Sequence, residues 1–297
     1  MNIIFKQIKI NTILSPSEKQ DLSEKVGIDI GQSLTKIAFL EEETLVLSIS
    51  DTRDDLGHIL EFIETLRANN KYFNFTGGKA FKLFKKYENS YQCKLVDEFE
   101  ANIKGLDFIF QSNKKKSLPS SLIITIGTGT SFILKNDTVK HIGGTALGGG
   151  FFMAIIRLLF NINNYQQAID LAKKGNRYNV DLRVKDIYDA QDKRVDILFR
   201  EFTASSLGKI TKDINLNLLK KDDILNSLIC LIGENIGSLA SIYAKINKIG
   251  TLVFCGGFLI NNTVLVKILK MICKINGLRL LIIENSEFNG AIGALLF

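Results

Sequence analysis

The sequence predicts an α/β protein built from two similar halves that face each other across a cleft. Three observations carry this prediction. Short strand-like apolar runs alternate with helical patterns along most of the chain. The unit of apolar strand, glycine turn and apolar return strand occurs twice, at Val26–Leu40 and again at Leu122–Leu134. A glycine-dense stretch, Gly143–Gly150, follows the second unit and runs into an apolar segment, Phe151–Phe160, that reads as a helix.

The two hairpins match residue by residue. Gly31 corresponds to Gly127, and Ile28-Asp29-Ile30 corresponds to Ile124-Thr125-Ile126. An internal duplication of this kind suggests two related halves facing one nucleotide. The first copy carries an acid, Asp29, suited to holding a metal–phosphate. The second carries Thr128, Thr130 and Ser131 between and beside Gly127 and Gly129, suited to receiving phosphate oxygens. Gly143–Gly150 holds five glycines in eight residues. Glycines let backbone N–H groups approach a ligand closely, and a glycine turn entering a helix N-terminus is an anion site. The expectation is that these glycines serve a phosphate rather than packing; plain tight turns are the alternative reading.

In chain order, residues 1–24 read as an N-terminal extension with one loose strand near Ile3–Phe5 and no visible chemistry. Residues 25–118 form the first half. Its strands are Val26–Ile30, Thr35–Leu40 and Thr44–Ile49, followed by a helical pattern over Asp54–Ala68 and a strand, Tyr72–Thr76, ending at Gly77-Gly78. A basic amphipathic helix, Lys79–Tyr87, comes next. Apolar residues at Val96, Phe99, Ile103, Leu106 and Ile109 share one helix face. Asp97 and Glu98 lie in its first turn, where negative charge suits the helix dipole; the functional alternative is a catalytic carboxylate. Residues 119–297 form the second half, with helices over Asn163–Lys174, Asp222–Lys245 and Thr263–Ile275 and strands at Thr251–Cys255 and Leu278–Ile283. Gly256-Gly257 closes the first of these strands. The small residues of Gly290–Ala294 suit either close helix packing or the approach of an adenine ring.

Bulk composition excludes several classes. The 297-residue chain is 46% hydrophobic and 23% charged, ordinary for a globular protein. Its net charge of +7 fits an acidic metabolite or nucleotide. The basic residues are dispersed without a basic–aromatic stripe, so nucleic acid is not expected. Cys93, Cys230, Cys255 and Cys273 are widely spaced, which argues against a zinc or iron–sulfur site and for reduced thiols in the cytoplasm. No signal peptide is evident and no membrane span is expected, since Glu234 and Asn235 interrupt the most apolar stretch, Ser227–Ala244.

Eight motifs in order resemble one family. They are Asp29-Ile30-Gly31-Gln32-Ser33-Leu34-Thr35-Lys36, Asp97-Glu98-Phe99, Gly127–Ser131, Gly143–Gly150, Val180–Tyr188, Ala204–Lys209, Gly256–Leu259 and Gly290–Leu295. Together they resemble the type II, eukaryotic-type pantothenate kinases over about Val26 to Phe297. The resemblance implies a duplicated ribonuclease H-like (actin-like ATPase) fold, with ATP in the cleft between two α/β halves. It implies transfer of the γ-phosphoryl group of ATP to a hydroxyl of pantothenate, the first step of coenzyme A synthesis. It further implies a homodimer and feedback inhibition by coenzyme A or acyl-CoA. Glu98 matches the family's catalytic glutamate, which accepts or orients the substrate hydroxyl proton. Asp29 would hold Mg²⁺ directly or through water. Gly31, Ser33, Lys36, Gly127, Thr128, Gly129, Thr130, Gly148 and Gly149 would line the phosphates, with Lys36 alternatively only supporting its hairpin. Gly256 and Gly257 would border the adenosine. Lys140, His141, Gly144 and Thr145 would meet the acidic substrate.

The chain departs from the family in four places. Gln32 and His141 stand where glycine and arginine are usual, Phe151 replaces a small hydroxyl residue, and the approach to the last motif is reduced to Glu287-Phe288-Asn289. Histidine lacks the permanent bidentate charge of arginine, and Lys140 is the candidate to compensate. Two other readings follow from these departures: a catalytically weak homologue that binds ATP or acyl-CoA as a sensor or partner subunit, and a kinase of the same fold acting on another hydroxyl, such as a sugar.

Overall fold

The computed structural model describes residues 4–9, 14–42, 44–52, 61, 65, 72–192 and 200–297. The helical pattern expected over Asp54–Ala68 lies outside the described residues save for two positions. Elements run in the order β1 (Ile4–Lys9), α1 (Pro16–Ser23), β2 (Lys25–Ile30), β3 (Leu34–Glu41), β4 (Thr44–Asp51), β5 (Tyr72–Thr76), α2 (Ala80–Tyr87), β6 (Gln92–Leu95) and α3 (Glu98–Lys114). The chain continues with β7 (Ser121–Ile126), β8 (Thr130–Lys135), β9 (Val139–Thr145), α4 (Gly149–Phe160), α5 (Tyr165–Lys174), β10 (Leu182–Arg183) and β11 (Thr203–Ser205). It ends with α6 (Lys221–Ile246), β12 (Thr251–Cys255), α7 (Thr263–Ile275), β13 (Arg279–Ile282) and α8 (Asn289–Leu295).

The duplication is explicit in strand order. The first sheet runs β1-β4-β3-β2-β5-β6 and the second runs β13-β12-β7-β8-β9. Read from β4 and from β9, the two sheets have the same plan: two antiparallel hairpin pairs, then two parallel additions. Asp29 pairs with Lys36 in the first copy, and Thr125 pairs with Ser131 in the second. The α/β duplicated fold expected from the sequence is therefore present.

Strand alternation assigns the layers. On β2, Val26, Ile28 and Ile30 face outward and pack with Phe73, Phe75, Leu83 and Tyr87. On β7, Leu122, Ile124 and Ile126 face the helices of the second half, among them Ile229 and Ile232 of α6 and Leu265 and Leu269 of α7. The remaining core joins residues of both sheets, such as Leu47 and Ile123, to Leu106 and Phe110 of α3 and to Ala291, Ile292 and Leu295 of α8. Apolar residues with a period of two on the strands and near 3.6 on the helices produce this layering.

The C-terminal helix α8 belongs by packing to the first half. A Cβ on Gly293 would lie 1.7 Å from the Ala101 carbonyl oxygen, and one on Gly105 would lie 1.9 Å from that of Asn289. The small residues of Gly290–Ala294 are thus used for helix crossing. All of α8 is buried, so this segment is not free to receive an adenine ring.

The N-terminal extension is better built than the loose strand expected. β1 pairs along its length with β4, and Lys6 reaches Glu287 at 2.7 Å and Asn285 at 3.1 Å. α1 opens with a capping box in which Ser15 and Glu18 bond reciprocally. The polar strand β6, exposed at Gln92, Lys94 and Leu95, also escaped the sequence reading; it is an edge strand without the apolar alternation that reveals inner strands. α6 has the length and apolarity of a membrane span, yet most of its apolar window is buried between α5, α7 and the second sheet, which makes it a core helix.

The α3–α8 crossing yields a direct expectation. Gly293→Val should cost more than about 3 kcal/mol, because the added side chain must displace helix backbone. A thermal melt should show a large fall in midpoint; a midpoint near the parent value would contradict this packing.

Candidate active site

Asp29 lies at the C-terminal end of β2 on the face turned toward α8. It is 7% exposed, and its Oδ2 accepts a hydrogen bond from Lys36 Nζ at 3.0 Å. The pairing follows from register, since Asp29 and Lys36 are cross-strand partners. Two glycines wall the carboxylate. A Cβ on Gly77 would lie 2.6 Å from Oδ1, and one on Gly290 would lie 2.8 Å from Oδ2. Gly77 also has φ +93°, which a side chain would strain.

Glu98 is the first residue of α3. Asp97 is the N-cap; its Oδ1 accepts from the N–H groups of Phe99 at 2.9 Å and Glu100 at 3.0 Å. The structural reading of these acids therefore holds for Asp97. Glu98 makes no side-chain hydrogen bond with a described residue. It is accessible to solvent but crowded by protein. Desolvation, and then the charge of Asp29, raise its carboxyl above the ordinary value, with Lys36 opposing. A free carboxylate with elevated basicity beside a second acid is the signature of a candidate general base.

The two glycine hairpins meet at the base of the cleft. The hydroxyls of Ser33 and Thr128 are 3.0 Å apart, and a Cβ on Gly257 would lie 3.1 Å from Leu34 Cδ1. Gly31, Ser33, Gly127, Thr128, Gly129, Gly256 and Gly257 are thus brought together. Gly256 holds φ +106°, and a Cβ there would lie 2.5 Å from the Ile126 carbonyl oxygen; this turn brings the end of β12 against the end of β7. The Tyr165 hydroxyl ties the same turn down through the carbonyl oxygens of Phe258 at 2.9 Å and Ile260 at 3.0 Å.

The glycine-dense stretch does not perform as expected. Gly143 and Gly144 lie within β9, where a Cβ on Gly143 would lie 2.4 Å from the Tyr243 hydroxyl and one on Gly144 would lie 2.9 Å from the Thr130 carbonyl oxygen. Gly148 rests against the carbonyls of the Gly127–Gly129 turn. The N–H of Gly149 donates to the Gly127 carbonyl at 2.8 Å, and that of Gly150 donates to the Thr128 carbonyl at 3.0 Å. Those two helix-end donors hold the phosphate turn in shape, so they are not available to phosphate. Thr130 is buried with its hydroxyl on the Leu147 carbonyl at 2.8 Å, and the Thr145 hydroxyl accepts from the Leu147 N–H at 3.3 Å. Thr130, Gly144, Thr145 and Gly149 are therefore framework for the turn. Packing, which the sequence reading set aside, explains the glycines.

His141 and Lys140 are exposed on the edge strand β9. A bulge between the Phe132 and Ile133 pairings lets the neighbouring Ile142 pack against the second-half core. His141 instead stacks on Phe99 of α3, with ring centroids 4.5 Å apart and planes 23° apart. This contact joins the strand of one half to the catalytic helix of the other, beside Glu98. No sequence signal announced it. The Val180–Lys209 motifs are structural as well. Asp181 is fully buried and accepts from Arg177 Nε at 2.5 Å, the Leu207 N–H at 2.8 Å and the Ser227 hydroxyl. Arg177 also forks onto Glu234 of α6 at 2.7 and 3.2 Å.

Among the described residues, no group of three or more His, Cys, Asp or Glu side chains could hold a metal ion. A Mg²⁺ that arrives on nucleotide phosphates needs only one or two carboxylates and keeps several waters. Asp29 supplies that carboxylate: its Oδ1 carries no lysine, and Gly77 packs close beside it.

The fold and site define a nucleotide-cleft protein of the duplicated actin-like class. Solved structures agree on the fold: a ROK family glucokinase from Streptomyces griseus in complex with glucose and AMPPNP aligns at TM-score 0.54 and 10% identity, covering 91% of this chain and 97% of that one. A ROK family protein from Streptococcus pneumoniae TIGR4 in complex with sucrose aligns at TM-score 0.54 and 12% identity, covering 92% and 96%. The family is narrower. The Fumble family model matches residues 47–297. A type II pantothenate kinase from Bacillus cereus (strain AH820) is 32% identical over 278 residues, 93% of this chain and 98% of its own. One from Oceanobacillus iheyensis is 30% identical over 273 residues, covering 92% and 99%. The chain belongs to the Fumble family, that of the type II pantothenate kinases.

The raised Glu98 carboxyl predicts a stability signature. A carboxyl whose folded pKa lies above its unfolded value contributes stability below the unfolded pKa and loses it as pH rises through the folded one. Glu98→Gln should therefore melt at a higher temperature than the parent near pH 7. The gap should close below about pH 4, where the parent's Glu98 is protonated in both states. A variant less stable than the parent at pH 7 would contradict the crowded, unpaired placement.

Proposed function

We propose that this protein transfers the γ-phosphoryl group of ATP to the hydroxyl of pantothenate, giving 4′-phosphopantothenate and ADP. The observation that carries the reading is the unpaired, basicity-raised Glu98 beside Asp29 at the junction of two phosphate hairpins, in a chain of this family. The acceptor oxygen attacks the γ-phosphorus, the bond from that phosphorus to the β–γ bridging oxygen breaks, and ADP leaves. The hydroxyl proton passes to the Glu98 carboxylate. The Gly127–Gly129 turn, Ser33 and Thr128 receive phosphate oxygens, their mutual hydrogen bond giving way to nucleotide. Lys36 holds Asp29 in place and adds positive charge near the phosphates. Mg²⁺, when bound through Asp29, neutralises charge that develops on the phosphoryl group. Gly256 and Gly257 border the adenosine. Lys140 and the net positive chain draw in the acidic substrate, while His141 serves chiefly through its stack on Phe99.

The enzyme acts in the cytoplasm as a homodimer and is inhibited by coenzyme A or acyl-CoA, in this reading. Four free thiols support a reducing compartment. Exposed apolar residues near the ends of α4 and α6 support self-association: Leu158, Leu159, Ile242 and Ile246. Light scattering should give a dimer mass that falls to a monomer in Leu158→Glu/Ile246→Glu; a monomeric parent would contradict the dimer.

Turnover is tested by ADP release with Mg-ATP and pantothenate, set against pantetheine and a panel of hexoses. Pantothenate should stimulate release, and Glu98→Gln should lower kcat about 10²–10⁴-fold while ATP still binds. Hexose-dependent release with none from pantothenate would transfer the assignment to a sugar kinase. Near-parental kcat in Glu98→Gln would remove that residue from its role.

A further inference from the structure

The register of β9 bears on the kind of acceptor the cleft admits. Cross-strand partners share a face of a sheet, and successive residues alternate between faces. Ile133 of β8 belongs to the core that holds Leu106 and Phe110 of α3, and its partner on β9 is His141. His141 accordingly lies on the α3 face, where its ring stacks on Phe99 with centroids 4.5 Å apart. Lys140 pairs instead with Leu134. Its side chain leaves from the opposite face, the one on which Ile142 meets the second-half core. Lys140 adds positive potential to the surroundings of the cleft, but it starts on the wrong side of the sheet to clamp a ligand beside Phe99.

Two further lysines of this region are already engaged. Lys135, two residues from Ile133 on β8, donates to the Leu118 carbonyl at 2.9 Å. Lys36 is held by Asp29 at 3.0 Å. The charges acting on Glu98 are those of Asp29 and Asp97 on one side and Lys36 on the other. An acceptor whose hydroxyl sits at Glu98 therefore has a stacked aromatic wall beside it and a net negative field around it. A carboxylate tail desolvated against that wall lacks the fixed, permanent cation it needs. An uncharged amide tail brings no charge to balance and can lie flat on the rings. We propose that the His141–Phe99 wall makes the cleft selective for an uncharged acceptor tail, so that the amide pantetheine is a better substrate than the carboxylate pantothenate. The inference rests on the phosphoryl-transfer reading and sharpens its substrate class; the transfer step and the role of Glu98 are unchanged.

The test is the ratio of kcat/KM for pantetheine, its thiol kept reduced, to that for pantothenate. Both are measured as ADP release by the full chain with Mg-ATP at one ionic strength. The parent ratio should favour pantetheine. His141→Arg keeps a planar group to stack on Phe99 and adds a permanent charge. It should move the ratio about 10- to 100-fold toward pantothenate, the worth of a charge-assisted hydrogen bond, chiefly by lowering the KM for pantothenate. His141→Gln adds no charge and should keep a near-parental ratio, even where kcat falls with the lost stack. A parent that prefers pantothenate overturns the proposal, as does a His141→Arg ratio equal to the parent's. Either of those results leaves the kinase assignment standing. ADP release that neither acceptor stimulates would instead remove the assignment, and the proposal with it.

Discussion

The ion pair between Asp29 and Lys36 is the constraint around which the molecule is arranged. A carboxylate 7% exposed at a strand end needs its charge balanced and room on its other sides. Antiparallel register supplies the lysine from directly across the hairpin. Room comes from Gly77 and Gly290, and Gly290 can serve only if α8 lies against β2. That demand explains why the last helix of the chain returns to the first half, and why Gly27, Gly105 and Gly293 line its path: a side chain at any of them would strike backbone.

The two halves have diverged in chemistry while keeping one plan. Where the first hairpin sets Asp29 opposite Lys36, the second sets Thr125 opposite Ser131. Charge handling is thereby concentrated on one side of the cleft and neutral donors on the other. The halves are also tied together at three points around the reacting region: Ser33 to Thr128, Leu34 to Gly257, and Phe99 to His141. The last of these gives a physical meaning to the histidine that replaces the family's usual arginine. A flat imidazole can stack face to face on Phe99 and brace the first turn of α3, from which Glu98 projects.

Much of this was legible in the sequence, and the misses have definite causes. The hairpins, their pairing as a duplication and the main helices were readable because their apolar residues keep periods of two and 3.6. Asp29 and Glu98 stood out by charge next to glycine turns and helix starts. The Gly143–Gly150 stretch was misjudged because a missing Cβ reads the same whether it makes way for phosphate or for protein. What decides is a neighbour distant in sequence, such as Tyr243 against Gly143 or the Gly127 carbonyl against Gly149. β6 was hidden because it is a short, polar edge strand, and β1 was read only as one loose strand near Ile3–Phe5.

The central claim is that this junction of hairpins and helix moves a phosphoryl group onto pantothenate with Glu98 taking the proton. The most direct measurement is ³¹P nuclear magnetic resonance of the protein with Mg-ATP and pantothenate, following the phosphorus signals through the reaction. The account predicts a new phosphomonoester resonance that grows as the γ-phosphoryl signal falls, requires pantothenate, and is lost in Glu98→Gln. Inorganic phosphate as the sole new signal, or an undiminished phosphomonoester in Glu98→Gln, would contradict it.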